Sequence, residues 1–179
     1  MKFRSVEQIL KEHIVDVKDF PSKGIIFRDL TPILADSKTF TLAIDELYLR
    51  TVDLGYDVIL SPESRGFWFG LPLATKAQVS FVPVRKPGKL PREVLKQKYE
   101  LEYDSGELQI HADAIKPGNR VLIVDDLIAT GGTVQAIVDL VKKSGGTVVG
   151  CAFCVNLESL PGAGKLKELG IPTFSLVNL

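Results

Sequence analysis

The stretch VLIVDDLIATGGT, Val121 to Thr133, decides how this chain is read. Its first four residues, Val121 to Val124, are apolar and mostly β-branched, which suits a short strand buried on both faces. The strand is expected to stop at two adjacent acids, Asp125 and Asp126, and the chain then enters the small residues Ala129, Thr130, Gly131, Gly132 and Thr133. Beyond them Val134, Ile137, Val138 and Val141 recur at helical spacing. Strand, acids, small-residue loop and helix, in that order, predict a phosphate site. Thr and paired Gly let backbone N–H groups turn inward, and the helix start adds unpaired donors. The acids would repel a phosphate and must serve another part of the ligand. An ionised Asp only accepts hydrogen bonds, which suits vicinal sugar hydroxyls and, directly or through water, a divalent metal. A ribose 5-phosphate fits, with its phosphate on the loop and its 2′- and 3′-hydroxyls on the acids. A strand ending in a polar turn explains any one of these residues, but not the ordered set.

Two other nucleotide motifs are missing: there is no G-x-x-x-x-G-K-[ST] and no G-x-G-x-x-G after a strand. The ordered set instead closely resembles the phosphoribosyl-diphosphate (PRPP) motif of the type I phosphoribosyltransferases.

Length and composition are ordinary for one soluble globular domain. The chain has 179 residues, enough for one domain with a substantial core. Its formal charge is zero, so it has no general attraction for nucleic acid or an anionic membrane. Cys151 and Cys154 spell C-x-x-C, but no second pair exists and the only histidines are His13 and His111. In a strand the two thiols point to opposite faces, so buried thiols in a reducing compartment are expected. The N-terminal segment reads as an amphipathic helix, without the apolar core of a signal peptide, and no segment is long enough to span a membrane. A cytoplasmic protein is expected.

From the N-terminus, Val6, Ile9, Leu10 and His13 share one face of the first helix. DFPSKGIIFRDLTPIL, Asp19 to Leu34, then places a short apolar strand between turns, with Phe27 available for stacking and Arg28 for an anion. This segment resembles the N-terminal signature of the adenine phosphoribosyltransferases, where it forms a hood over the base. The resemblance implies that backbone around Ile26 and Arg28 meets the adenine edge while Phe27 stacks on the ring. Adenine offers an amino donor beside an acceptor, and a 6-oxopurine reversing that pattern leaves buried groups unpaired. Asp36 and Ser37 are candidate caps for the next helix, and Val58 to Leu60 form a second buried strand. The following loop, Ser61 to Phe67, places Arg65 among small residues at a strand's C-terminal end, where open α/β sheets bind ligands. It resembles the ESRGF diphosphate loop of the same family, which implies diphosphate binding by Glu63, Ser64 and Arg65 and a cis peptide between Ser64 and Arg65.

A third strand, Val79 to Val84, runs into a charged stretch without steady periodicity, Arg85 to about Gly106. Long loops in compact domains are commonly functional, and a basic flap here would retain a leaving diphosphate and exclude water. The stretch resembles the family's flexible lid, which implies lid roles for Arg85 and Tyr103 and diphosphate contacts from Lys86 and Lys89. By the same resemblance Glu102 manages a proton near the imidazole side of the base. Asp104 and Gly106 depart from the pattern, with Asp104 where Gly is common and Gly106 where an acid is common.

The remaining segments alternate, with a strand from Thr147 to Val155, a helix from Gly162 to Leu169 and a last strand from Thr173 to Val177. The expected fold is α/β, a doubly wound, mainly parallel sheet flanked by helices. The expected unit is a single domain, 1–179, with a hood over roughly 1–35 and a lid over roughly 85–106. The resemblance implies transfer of phosphoribosyl from PRPP to N9 of adenine, giving AMP and pyrophosphate. It also implies a Mg²⁺ ion carried with PRPP (Asp125 reaching it through water), catalysis by Arg65, Asp125, Asp126 and Glu102, and a homodimer. Two alternatives stand beside it: the same reaction on another purine, and a non-catalytic PRPP-sensing regulator. The ESRGF and GIIFRD segments oppose the first. The absence of a helix-turn-helix and of net positive charge opposes the second.

Overall fold

The structure, a computed structural model, describes residues 4–100 and 105–179. Five strands form the central sheet: β3 (Val58–Pro62), β4 (Ser80–Val84), β7 (Arg120–Ile128), β8 (Thr147–Asn156) and β9 (Thr173–Asn178). They lie in the order β4-β3-β7-β8-β9, and every pair is parallel. Parallel neighbours need crossovers, which put helices on both faces and demand strands that are apolar on both sides. On β7, Val121 and Ile123 face one core, with α5 (Gly132–Lys143) and Leu166 of α6 (Gly162–Glu168), while Leu122 and Val124 face the other. That second core is closed by α1 (Val6–Lys11), α3 (Ser37–Thr51) and α4 (Gly66–Ala77). Cys151 and Cys154 divide between the two cores as the period of a strand requires. Both thiols are free and fully buried, and burial pushes each up to about 12.

Several boundaries differ from those expected. β7 does not stop at Asp125 but runs on to Ile128, because β8 continues alongside and pairs with it as far as Ile128 beside Asn156. The first helix ends at Lys11, so His13 lies beyond it, its Nδ1 2.9 Å from the carbonyl of Ile9. A strand the sequence did not signal, β1 (Val15–Lys18), follows and pairs antiparallel with β2 (Ile26–Asp29). Exposure of all four β1 residues erases the alternation that marks a half-buried strand. The short α2 (Thr31–Ala35) carries Pro32 in its first turn. Asp36 caps α3 by accepting the N–H of Thr39 at 2.7 Å.

The charged stretch from Arg85 contains a strand as well. β5 (Val94–Glu100) pairs with β6 (Ser105–His111) in a separate hairpin. Leu95 and Tyr99 alternate toward the core beside α5, and the charged residues between them obscured this in the sequence. The hairpin is tied to the end of β4 by paired backbone hydrogen bonds between Arg85 and Gln109, 2.9 and 2.8 Å. Lys143 on α5 reaches it too, donating to the carbonyl of Lys96 at 3.3 Å.

The loop after β3 is held by tight packing of α4 on that strand. A Cβ on Gly70 would overlap the Ser61 hydroxyl and come within 3.1 Å of the Phe81 ring. Gly70→Ala is therefore expected to destabilise the fold by about 1–3 kcal/mol, the usual cost of overpacking. A denaturant midpoint unchanged from the wild type would contradict this account of the helix position.

Candidate active site

The strand order changes direction between β3 and β7: the chain leaves β3 toward β4 and leaves β7 toward β8. Loops at the C-terminal ends of these two strands therefore diverge and leave a crevice, the usual ligand position of an open α/β sheet. Glu63, Ser64 and Arg65 follow β3; Ala129, Thr130 and Gly131 follow β7. A cavity of about 440 Å³ occupies the crevice, lined by Glu63, Ser64, Arg65, Lys86, Asp125, Asp126 and Thr133, with Pro62 and Leu127. A smaller recess of about 100 Å³ continues from it along Asp125, Leu127 and Ile128 to Val134. The two motifs separated in the chain thus share one site.

The small recess has the build of an anion cradle. Gly131 has φ 84°, a left-handed conformation that suits glycine, and precedes the first turn of α5. No side chain caps that helix start, so its N–H groups face the recess without an internal acceptor.

The acids lie between this cradle and a cationic side. Asp125 Oδ1 accepts the N–H of Asp126 at 2.8 Å. Burial pushes the Asp125 carboxyl well above the usual carboxylate range, and the charge of Asp126 pushes the same way; Arg65 and the Asp126 N–H act against both. Asp126 is buried and forms an ion pair with Arg65. The guanidinium of Arg65 also lies 4.7 Å from the centre of the Phe27 ring and donates to the carbonyl of Arg28 at 3.4 Å. One side chain therefore connects Asp126 with the β2 strand.

The hood residues approach the site without lining the cavity. Phe27 is half-buried and meets Phe20 edge to face at 5.2 Å, whereas Ile26 is exposed. Arg28 stands opposite Asp16 in the β1–β2 register and pairs with it. Its side chain is thus committed to the hairpin, and its backbone carbonyl is what faces Arg65.

On the cationic side, Glu63 pairs with Arg85 and accepts the N–H of Lys86 at 3.1 Å. Burial raises the Glu63 carboxyl, but Arg85 and the Lys86 N–H outweigh it and leave the group below its usual range. Glu63 therefore holds the start of the charged stretch in place, while Ser64, Arg65 and Lys86 face the cavity. Lys89 is exposed and lines neither the cavity nor the recess, and Arg85 stacks 5.9 Å from the Phe67 ring centre. The cis peptide of this loop joins Glu63 to Ser64, one bond earlier than the resemblance implied. Glu102, Tyr103 and Asp104 lie outside the described residues. Leu127, which lines both cavities, was not singled out in the sequence; its place two residues after Asp125 on the same strand puts both side chains on one face.

Among the described residues no group of three or more His, Cys, Asp or Glu could hold a metal ion. The two carboxylates Asp125 and Asp126 beside the recess do fit Mg²⁺, which commonly takes one or two carboxylates and completes its shell with substrate phosphate and water.

Comparison with known proteins identifies the family. The family model for the phosphoribosyl transferase domain matches residues 33–169. Curated proteins named adenine phosphoribosyltransferase from Escherichia coli O157:H7 and Shigella flexneri are 49% identical over 170 residues, covering 95% of this chain and 93% of theirs. The crystal structure of adenine phosphoribosyltransferase from Thermoanaerobacter pseudethanolicus has a TM-score of 0.93 at 47% identity, over 98% of this chain and 100% of that one. The Saccharomyces cerevisiae enzyme, complexed with an imino-altritol bisphosphate and adenine, gives a TM-score of 0.87 at 40% identity, over 96% of this chain and 98% of that one. With the fold matched along nearly its whole length and the identity this high, the chain belongs to the adenine phosphoribosyltransferases, within the phosphoribosyltransferase family.

Proposed function

We infer that this chain transfers the 5-phosphoribosyl group of PRPP to N9 of adenine, releasing AMP and pyrophosphate. The observation that carries the reading is the crevice between β3 and β7, where a helix-start anion cradle, two adjacent carboxylates and a cationic loop follow one another in the order of PRPP's own groups. Ala129 to Thr133 take the 5′-phosphate through backbone donors. Asp125 and Asp126 accept from the ribose hydroxyls. Ser64, Arg65 and Lys86 hold the diphosphate, with Glu63 positioning Arg85 and the Lys86 backbone, and Lys89 joining from the lid.

In the reaction the bond from the anomeric carbon to the diphosphate oxygen breaks and the bond to N9 forms. The electron pair leaves with pyrophosphate, and positive charge develops on the sugar. Asp125 and Asp126 stabilise that charge, while Arg65 and Lys86 stabilise the departing oxygens. Asp125 would hold Mg²⁺ through water, and the ion would supply charge neutralisation on the diphosphate. The backbone of Ile26 and Arg28 reads the adenine edge and Phe27 stacks on its ring. Glu102 manages the proton lost as N9 bonds, and the segment around Arg85 and Tyr103 closes over the site. The unit is a single domain with its hood over roughly 1–35 and its lid over roughly 85–106. A homodimer is proposed, supported by the exposed apolar residues Val15, Val17 and Leu71. The two free buried thiols suit the cytoplasm, and among the described residues no helix is long and apolar enough to cross a membrane.

Incubation with PRPP, Mg²⁺ and each of adenine, hypoxanthine, guanine and xanthine tests the reaction. AMP is expected, with strong preference for adenine. Turnover of a 6-oxopurine instead would overturn the hood assignment, and PRPP binding without turnover of any base would favour a sensor.

Asp125 provides a second test, in which activity and stability move in opposite directions. Its carboxyl is raised in the folded chain, so its contribution to stability is present at low pH and lost as pH rises through the raised value. Asp125→Asn keeps an acceptor for the Asp126 N–H and removes the charge. It should lower kcat/KM on the order of a hundredfold. It should also raise the thermal midpoint at about pH 8, a gain that shrinks toward pH ~4 as the wild-type carboxyl protonates. A midpoint that falls at high pH would disprove the electrostatic account.

A further inference from the structure

The cradle loop is short of internal support: its helix has no side-chain cap, and glycine occupies Gly131 and Gly132. Its carbonyls are nonetheless held. The carbonyl of Ile128 accepts the N–H of Leu157 at 3.1 Å, and that of Ala129 accepts the N–H of Gly162 at 2.9 Å. Leu157 opens the connection between β8 and α6, and Gly162 is the first residue of α6, which enters the core through the fully buried Leu166. Drawing these carbonyls toward the connection leaves the loop's N–H side facing the recess.

Gly162 is the point of closest approach. A Cβ there would overlap the Ala129 carbonyl oxygen and lie 2.7 Å from Ile128 Cγ1 and 3.0 Å from the Gly131 nitrogen. The contact is mutual, since a Cβ on Gly131 would lie 3.0 Å from the Gly162 Cα. Gly131 needs glycine for its positive φ, whereas Gly162 lies outside the left-handed region. What matters at Gly162 is the missing side chain.

We propose that Gly162 is a positioning residue for phosphate binding: its N–H and its bare Cα set the backbone of Ala129 to Gly131 in the anion-accepting shape. This rests on the reading of that loop as the 5′-phosphate cradle. It touches no substrate and acts only through the loop.

The test compares binding of AMP and adenosine, which share base and sugar, by calorimetry on the wild type, Gly162→Ala and Gly164→Ala. Gly164 is two residues along the same helix, where an added Cβ would meet nothing within 4 Å, and serves as the control. Gly162→Ala should weaken AMP by about tenfold or more and leave adenosine unchanged, while Gly164→Ala matches the wild type. AMP affinity retained in Gly162→Ala, or equal losses for both ligands, would overturn the proposal. A wild type that binds AMP no better than adenosine would instead overturn the phosphate reading itself. Should Gly162→Ala not fold, amide exchange on the wild type decides: AMP should slow exchange of the Gly162 N–H and adenosine should not, and equal exchange with both would refute the coupling.

Discussion

Parallel pairing of β3 with β7 is the constraint on which the rest of this molecule depends. Val58, Ile59 and Leu60 lie beside Val121, Leu122 and Ile123. The register is anchored at the strand starts, where Arg120 donates to the carbonyls of Gly55 and Leu54 at 2.7 and 2.6 Å and its N–H to Asp57 at 2.9 Å. With both strands pointing the same way in this register, the end of β3 at Pro62 comes level with Asp125, and β7 runs on beyond it to Ile128. Their helices then leave on opposite faces, and the crevice between them cannot be filled by either. A ligand site follows from chain direction before any side chain is considered.

Within that crevice, charge is arranged by separation. Two adjacent carboxylates are costly together, and burial increases the cost at Asp125. Arg65 offsets part of it by pairing with Asp126 while resting on Phe27. The same guanidinium therefore touches the acid, the Phe27 ring and the cavity at once. Such a site is less stable than an apolar one of the same shape, a common feature of positions selected for chemistry.

The β1–β2 sheet and the β5–β6 hairpin are built differently from the core. Each is a two-stranded sheet, too small to be stable alone, and each is held by contacts to the body. Arg28 commits its charge to Asp16 across the hood, and the hairpin is fastened through Arg85, Gln109 and Lys143. The hairpin enters a central core through the buried Leu108 and Ile110, whereas no residue of β1 or β2 is buried. Elements with few buried contacts open at lower cost than the sheet beneath them, which suits a site that must admit two substrates.

Much of this was legible along the chain because it is local. The apolar runs of β3, β7 and β8, the helical spacing of Val134 to Val141 and the small-residue loop each carry their own signal, since a doubly covered strand and an amphipathic helix impose patterns on neighbouring residues. That Asp125, Asp126 and Ala129 to Thr133 gather at one strand end is readable for the same reason. Other features depend on partners distant in sequence. The extension of β7 to Ile128 needs β8; β1 exists only through β2; and the alternation of Leu95 and Tyr99 gains meaning only against α5. Likewise nothing near Arg65 announces Asp126 and Phe27 as its neighbours, and nothing near Gly162 announces Ala129. Those contacts arise from strand order and close packing, quantities that no local pattern encodes, and tertiary structure alone decided them.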